Sequence, residues 1–194
     1  MDNITIKGVI KFDPPDKTNK HSKQSSWKKM ALVEVGGDIC SYYSYYIEKR
    51  YGFSLLPPLR GAHISFISDK YNEMNGKWDL VKQKWHNKPI DVVINLRPVT
   101  SLVSYNKDFN FWFEIPEKER GLLHSIRNEL GLGRPFFGLH LTIGRVIDYT
   151  NDNDFEPGVM KVKRMNTEQA KYILKSITSG LIPNTSTFKD KIYL

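Results

Sequence analysis

The stretch GAHISFI, residues 61–67, returns in altered form further along the chain as GLHLTIG, residues 138–144. In each copy a glycine stands two positions before a histidine, and a hydroxyl residue stands two positions after it. Both copies alternate polar and apolar residues with the period of a half-buried strand. This alternation sets His63 beside Ser65, and His140 beside Thr142, on one face of each strand, while Ile64, Phe66, Leu141 and Ile143 turn to the core. A repeated apolar run would report only a repeated core strand. A repeated imidazole and hydroxyl report repeated chemistry.

Working outward, the surrounding pattern repeats as well. MALVEVGG, from Met30, reads as a buried strand, and Asp38 stands as the cap of a helix over residues 39–52 that contains YYSYY and ends at Gly52. Pro57 and Pro58 stop that helix, and PLRGAHISFIS follows as a strand. In the second copy FNFWFEI is the strand, and Pro116 with Glu117 and Glu119 opens a helix through PEKERGLLHSIRNELGL that ends near Gly131. GRPFFGLHLTIGRVI is then the strand. The order strand, helix, joint, H-x-[S/T] strand thus occurs over residues 29–68 and again over 109–147, a duplication rather than a solenoid. It predicts two similar lobes related by a pseudo-twofold, with the two motif strands side by side.

The rest of the chain reads more simply. ITIKGVIKF is an alternating strand, and DPPDKTNKHSKQSS is a polar, basic loop and a candidate lid. WDLVKQKW predicts a short helix, IDVVINL and LVSY predict strands, TEQAKYILKSIT predicts a last helix, and the polar tail 183–194 is expected to be loose. The 194 residues, 40% of them hydrophobic, suffice for one compact domain over 1–194. No apolar run approaches membrane-spanning length and no leader pattern opens the chain, so a soluble intracellular protein is expected. The single Cys40 excludes an internal disulfide and reads as a buried thiol. A net charge of +8 favours an anionic partner, whether nucleotide, nucleic acid or phosphorylated surface.

Two imidazoles facing one cleft suit a reaction in which one proton is removed and another delivered, because histidine titrates near neutral pH. Transesterification at a ribose 3′-phosphodiester has that requirement: the 2′-hydroxyl loses a proton as it attacks phosphorus, and the departing 5′-oxygen gains one. Ser65 and Thr142 can donate to the non-bridging oxygens, where charge builds in the transition state. The scheme needs no metal and no cofactor. A zinc site is the competing reading, but neither strand adds an Asp, Glu or Cys ligand at i+2. Which histidine is base and which is acid stays open at this level.

These residues resemble the two-histidine (2H) phosphoesterases. The flanking stretches GVIKFDPPDKTNKHSKQSSWKK, PLRGAHISFISD and IRNELGLGRPFFGLHLTIG are similar to a branch of that superfamily, the phage anti-CBASS cyclic oligonucleotide phosphodiesterases. The resemblance covers most of residues 6–147, with Ser65 where the commoner residue is Thr. It implies an α+β, bilobal fold whose antiparallel sheets line a central cleft with helices outside. By the same resemblance the substrate would be a cyclic di- or trinucleotide such as 3′,3′-cyclic GMP-AMP, made by a bacterial host's antiviral cyclase and cleaved in the cytoplasm of the infected cell. No obligatory protein partner, membrane or large nucleic acid is implied. Two alternatives remain: a phosphodiesterase acting on 2′,3′-cyclic phosphate ends of RNA, and a non-catalytic protein that sequesters a nucleotide.

Further residues qualify as ligand contacts. Arg60, Arg134 and Arg145 lie near the motif strands and can meet phosphates bidentately. Trp112, Tyr105 and Phe137, with Trp78 and Trp85, are the flat side chains on which a base can stack. YYSYY reads as a helix face packed on a sheet rather than a base platform. His21, His86 and His124 lack the motif context and are not expected to act in catalysis.

Overall fold

A computed structural model of the chain describes residues 3–15, 29–51, 55–58, 60–69, 74, 76–101, 108–135, 138–147 and 191–193. The protein is a mixed α+β structure that divides into two compact units. The first comprises residues 1–37, 59–96 and 113–141, and the second 38–58, 97–112 and 142–194. This division does not separate the two sequence copies into one lobe each. Its boundary cuts through the second motif strand, so that His63 and His140 both belong to the first unit.

The first unit is built on a sheet of β1 (Asn3–Phe12), β2 (Ala31–Val35), β3 (His63–Ile67) and β4 (Pro89–Asn95), in the order β3-β2-β1-β4. Its pairings are all antiparallel, with Gly8 opposite Val35, Ile4 opposite Ile94 and Glu34 opposite His63. Alternation sends Ile10, Phe12, Val33, Ile64, Phe66, Val92 and Ile94 into the core, where Trp78 and Val81 of α2 (Trp78–Trp85) are also buried. Phe12 meets the Trp78 ring edge-on at 5.0 Å and the Phe66 ring at 6.3 Å. Gly8 is a close-approach position, since a Cβ there would collide with the Val33 side chain. The carboxylate of Asp13 then closes β1 against the rest: it accepts from the Lys29 amide at 2.6 Å, the Trp78 indole at 3.0 Å and Lys82 Nζ at 2.8 Å. These bonds outweigh the upward push of burial and hold the Asp13 carboxyl below its ordinary range.

The helix expected from Pro116 onward is two elements. A 3₁₀ turn at Glu117–Glu119 precedes α3 (Gly121–Glu129), and Arg120 joins them. Its amide donates back to the Glu117 carbonyl at 3.2 Å, its own carbonyl accepts from the His124 amide at 2.9 Å, and its Nε reaches the Ile115 carbonyl at 2.7 Å. One residue therefore ends the turn and opens the helix. At the other end Gly131, with φ 77°, completes a Schellman stop: the Leu132 amide donates to the Arg127 carbonyl and the Gly131 amide to the Asn128 carbonyl.

Arg127 of this helix is 1% exposed and makes a dense polar cluster. Its two terminal nitrogens hold the Asp69 carboxylate at 2.6 and 2.8 Å. Nη1 also donates to the Phe66 carbonyl at 2.7 Å, and Nε to the Gly133 carbonyl at 2.7 Å. The side chain thereby ties the helix to the end of β3 and to the segment that leads into the second motif strand.

The second unit contains α1 (Asp38–Tyr51), and the second sheet runs β7-β6-β5-β8, with β5 at Val99–Ser101, β6 at Asp108–Glu114, β7 at His140–Ile147 and β8 at Lys191–Tyr193. Strands β6 and β7 cross the boundary between the units. Cys40 and Ser44, one helical turn apart, direct Sγ and Oγ to the Thr142 and Ile143 carbonyls, each at 3.4 Å. Cys40 is buried as expected, and burial pushes its thiol up to about 11. The YYSYY reading is corrected: Cys40 and Ile47 form the inner stripe, while Tyr42, Tyr45 and Tyr46 are 65%, 61% and 43% exposed. Gly144 has room for hydrogen only, since a Cβ there would lie 2.8 Å from the Leu56 carbonyl oxygen. Leu56 and Arg145 exchange amide–carbonyl bonds at 2.8 and 3.0 Å beside it.

Part of the expected loose tail is a strand, because residues 191–193 add a partner to β5, with Tyr193 opposite Val99. The predicted strand LVSY, the last helix and most of the basic loop lie outside the described residues. Among the described residues no helix is long and apolar enough to cross a membrane.

Replacing Asp69 with Ala leaves the Arg127 charge buried and half-partnered. The variant should lose about 3 kcal/mol of stability in urea unfolding at neutral pH. The Asp69 carboxyl is subject to the upward push of burial but is held below its ordinary value of 3.8 by the hydrogen bonds and charge of Arg127. Its contribution is therefore complete above pH 3.8 and is lost as pH falls through the lower folded-state value. The wild-type protein should accordingly show a larger acid-induced loss of stability than the Asp69→Ala variant, in which the Asp13 contribution remains.

Candidate active site

Strand β3 begins at His63 directly after a sharp turn in which Gly61 takes φ 84°, a conformation that residues with a Cβ rarely adopt. The turn points the Gly61 carbonyl back at the imidazole, and His63 Nδ1 lies 2.8 Å from that oxygen. The second copy repeats the arrangement: His140 opens β7, and its Nδ1 lies 2.6 Å from the carbonyl oxygen of Gly138. A carbonyl can only accept, so Nδ1 carries the hydrogen in both rings. That leaves Nε2 of each imidazole as the atom able to take or give a proton.

The alternation predicted from sequence holds on both strands. Ile64, Phe66, Leu141 and Ile143 are at most 1% exposed, while His63, Ser65, His140 and Thr142 are half-buried on the opposite faces of their strands. Each imidazole is followed on its own face by a hydroxyl at i+2. Glu34, on β2, is the direct cross-strand neighbour of His63.

The surroundings disfavour a proton on His63. Burial holds its imidazole below the ordinary value of 6.5; the Gly61 carbonyl acts in the opposite direction, the Arg60 and His140 charges push it further down, and Glu34 pulls it up. His140 is among the charges that act on His63, and both residues belong to the first unit. Mutual repulsion disfavours the state in which both rings are protonated.

The other residues singled out from sequence have varied fates. Arg60 is only 6% exposed and donates through Nη1 to the Pro15 carbonyl at 2.5 Å. Arg134 is exposed and ion-paired with Glu117 at 2.9 Å. Arg145 is half-buried on β7 beyond Gly144. Trp112 is half-buried, and its neighbours Phe111 and Phe113 supply the core face of β6. Tyr105, Phe137 and His21 lie outside the described residues. Trp78 is core, Trp85 donates its indole N–H to Glu129 at 3.2 Å, and neither is an open stacking platform. His86 accepts from the Phe12 amide at 3.0 Å and is a structural residue.

Sequence reasoning missed Glu34, which becomes a neighbour only once the β2–β3 register is known. It also missed that the carbonyls of Gly61 and Gly138 orient the imidazoles. The constant offset of glycine from histidine was the available signal. Among the described residues no group of three or more His, Cys, Asp or Glu is arranged to hold a metal ion. A hollow of about 450 Å³ in the first unit, walled by Asn3, Asn95, Glu114 and Arg120 among others, contains neither motif histidine. No protein-family model, curated protein or solved structure matches the chain.

The two glycines should respond differently to substitution. Gly61→Ala forces a side chain into the left-handed region and should cost about 1–2 kcal/mol in thermal or urea unfolding. Gly138 has an ordinary φ and open space where a Cβ would stand. Gly138→Ala should therefore fold with wild-type stability, and any loss it shows in ligand binding reports the approach of ligand to that backbone.

Proposed function

We propose that the chain is a bilobal two-histidine phosphodiesterase that opens cyclic di- or trinucleotides, such as 3′,3′-cyclic GMP-AMP, without a metal ion. The observation that carries this reading is the pair of Nδ1-to-glycine-carbonyl bonds. They present two Nε2 atoms, electrostatically coupled, each followed on its strand by a hydroxyl. His63, whose surroundings keep it neutral, takes the proton of a ribose 2′-hydroxyl. The 2′-oxygen attacks the neighbouring phosphorus, the bond to the 5′-oxygen breaks, and His140 delivers a proton to that leaving oxygen. The products are an opened chain ending in a 2′,3′-cyclic phosphate and a free 5′-hydroxyl. Ser65 and Thr142 donate to the non-bridging oxygens as negative charge accumulates on them.

The net charge of +8 supports an anionic substrate, drawing it in by long-range attraction. In a bacterial cell infected by phage, cleavage of such a messenger would silence the antiviral signal that it carries, and the enzyme would act in the host cytoplasm.

His63→Ala and His140→Ala should each lower turnover of 3′,3′-cyclic GMP-AMP by roughly 10²–10⁴-fold. Added chelator should leave the wild-type rate unchanged. The acid limb of the pH–rate profile should have its midpoint below 6.5, because activity requires neutral His63 and falls as pH drops through its depressed value. Full activity in either alanine variant refutes the mechanism. Cyclic nucleotide recovered intact after incubation with the wild-type protein points instead to sequestration, and selective cleavage of a 2′,3′-cyclic phosphate on RNA points to an RNA-end enzyme.

A further inference from the structure

Helix α1 has two faces with different fates. Its inner stripe is Cys40, Ser44 and Ile47: Ile47 is fully buried, and Cys40 and Ser44 bond to carbonyls of β7. On the opposite face Asp38, Tyr42, Tyr45 and Lys49 are all exposed. Tyr42, Tyr45 and, at their flank, Tyr46 keep much of their rings in water, although an aromatic ring is the kind of surface that interfaces bury. Tyr43 touches Tyr42 and Tyr46 edge-on, with ring centroids 5.2 and 6.4 Å away, so the exposed rings are braced from below.

The outer stripe advances by four, three and four residues, the heptad step at which paired helices form a seam. Its two tyrosines occupy the middle. A carboxylate stands at one end and an ammonium at the other, about 16 Å apart along the helix axis. Lys49 extends back over the Tyr45 ring, with Nζ 5.3 Å from the centroid, and among the described residues neither Asp38 nor Lys49 forms an ion pair.

Such a stripe is complementary to itself, because its spacing is the same read from either end. A second copy of the helix, turned end for end about a twofold axis through the midpoint, brings Lys49 level with Asp38 and Tyr45 level with Tyr42, and each contact then occurs twice. One charge of each sign suits a like stripe better than it suits a polyanion. The net charge of +8 on each copy opposes association and a single helix face is small, so the pairing is weak and reversible.

We propose that the outer face of α1 is an interface between two copies of this chain, packed as antiparallel helices through Tyr42, Tyr45 and Tyr46, with Asp38 of each copy paired to Lys49 of the other. This surface is independent of the phosphodiesterase reading.

Sedimentation equilibrium over rising protein concentration tests it, with circular dichroism showing that each variant folds. The wild-type chain should pass from monomer to dimer by about 1 mM. Tyr42→Ser and Tyr45→Ser, changes at solvent-facing positions, should each weaken the dimer about tenfold or more. Asp38→Lys and Lys49→Glu each set like charges opposite one another, and each alone should stay monomeric where wild type dimerises. An equimolar mixture of the two restores opposite charges at both ends and should dimerise again, a rescue specific to the antiparallel register. If Asp38→Lys does not fold, the tyrosine variants and Lys49→Glu decide the matter. A wild-type chain still monomeric at about 1 mM, a dimer that these variants leave unchanged, or a mixture of folded variants without rescue overturns the proposal. So does a monomer whose tyrosines instead bind a fluorescent oligothymidylate, which would mark the face as a nucleic-acid platform.

Discussion

The guanidinium of Arg127 lies in the interior, 1% exposed, and a charge so placed is tolerated only where its hydrogen-bonding groups are answered. Asp69 answers with both carboxylate oxygens, and the Phe66 and Gly133 carbonyls take up the remaining reach. These partners come from the end of the first motif strand and from the segment that enters the second. A single helix side chain thus ties the end of β3 and the segment at Gly133 to α3. Apolar residues of the same volume would fill the space, but they would leave the register of these segments to packing alone.

The orientation of the motif histidines rests on local backbone rather than on long side-chain networks. Each motif histidine is oriented by a carbonyl two residues before it in its own chain. This imidazole geometry is therefore built into a stretch of five residues, and it is built twice. Duplicating such a unit yields two imidazoles with the same nitrogen presented, and their different environments can then separate their roles. Burial, the Arg60 charge and the His140 charge all act against a proton on His63, with the Gly61 carbonyl and Glu34 acting the other way. Burial and the surrounding charges carry the bias, so similar motifs need not have identical proton affinities.

Much of this was legible in the sequence because its strands alternate strictly and its breakers are explicit. The motif faces, the short helix over residues 78–85 and the stop at Gly131 follow from period, cap and glycine alone. Three features were not legible, each for a physical reason. Arg127 and Asp69 stand 58 residues apart, and nothing local marks either as a partner. Glu34 faces His63 through strand register, which no single segment specifies. The helix predicted from Pro116 onward breaks at Arg120 because its side chain and carbonyl serve both neighbours, an arrangement invisible to propensity. The tyrosine-rich helix misled for another reason: aromatic content suggested burial, whereas the smaller Cys40 and Ser44 make the contacts with β7.

The central claim is that two histidines, one from each copy of a repeated motif, present the same ring nitrogen to one reaction site. Nitrogen-15 NMR of the ligand-free protein at alkaline pH, where both rings are neutral, observes this directly through the position of the hydrogen on each imidazole. The account predicts that His63 and His140 both carry it on Nδ1, leaving Nε2 bare. A hydrogen on Nε2 of either ring would contradict it.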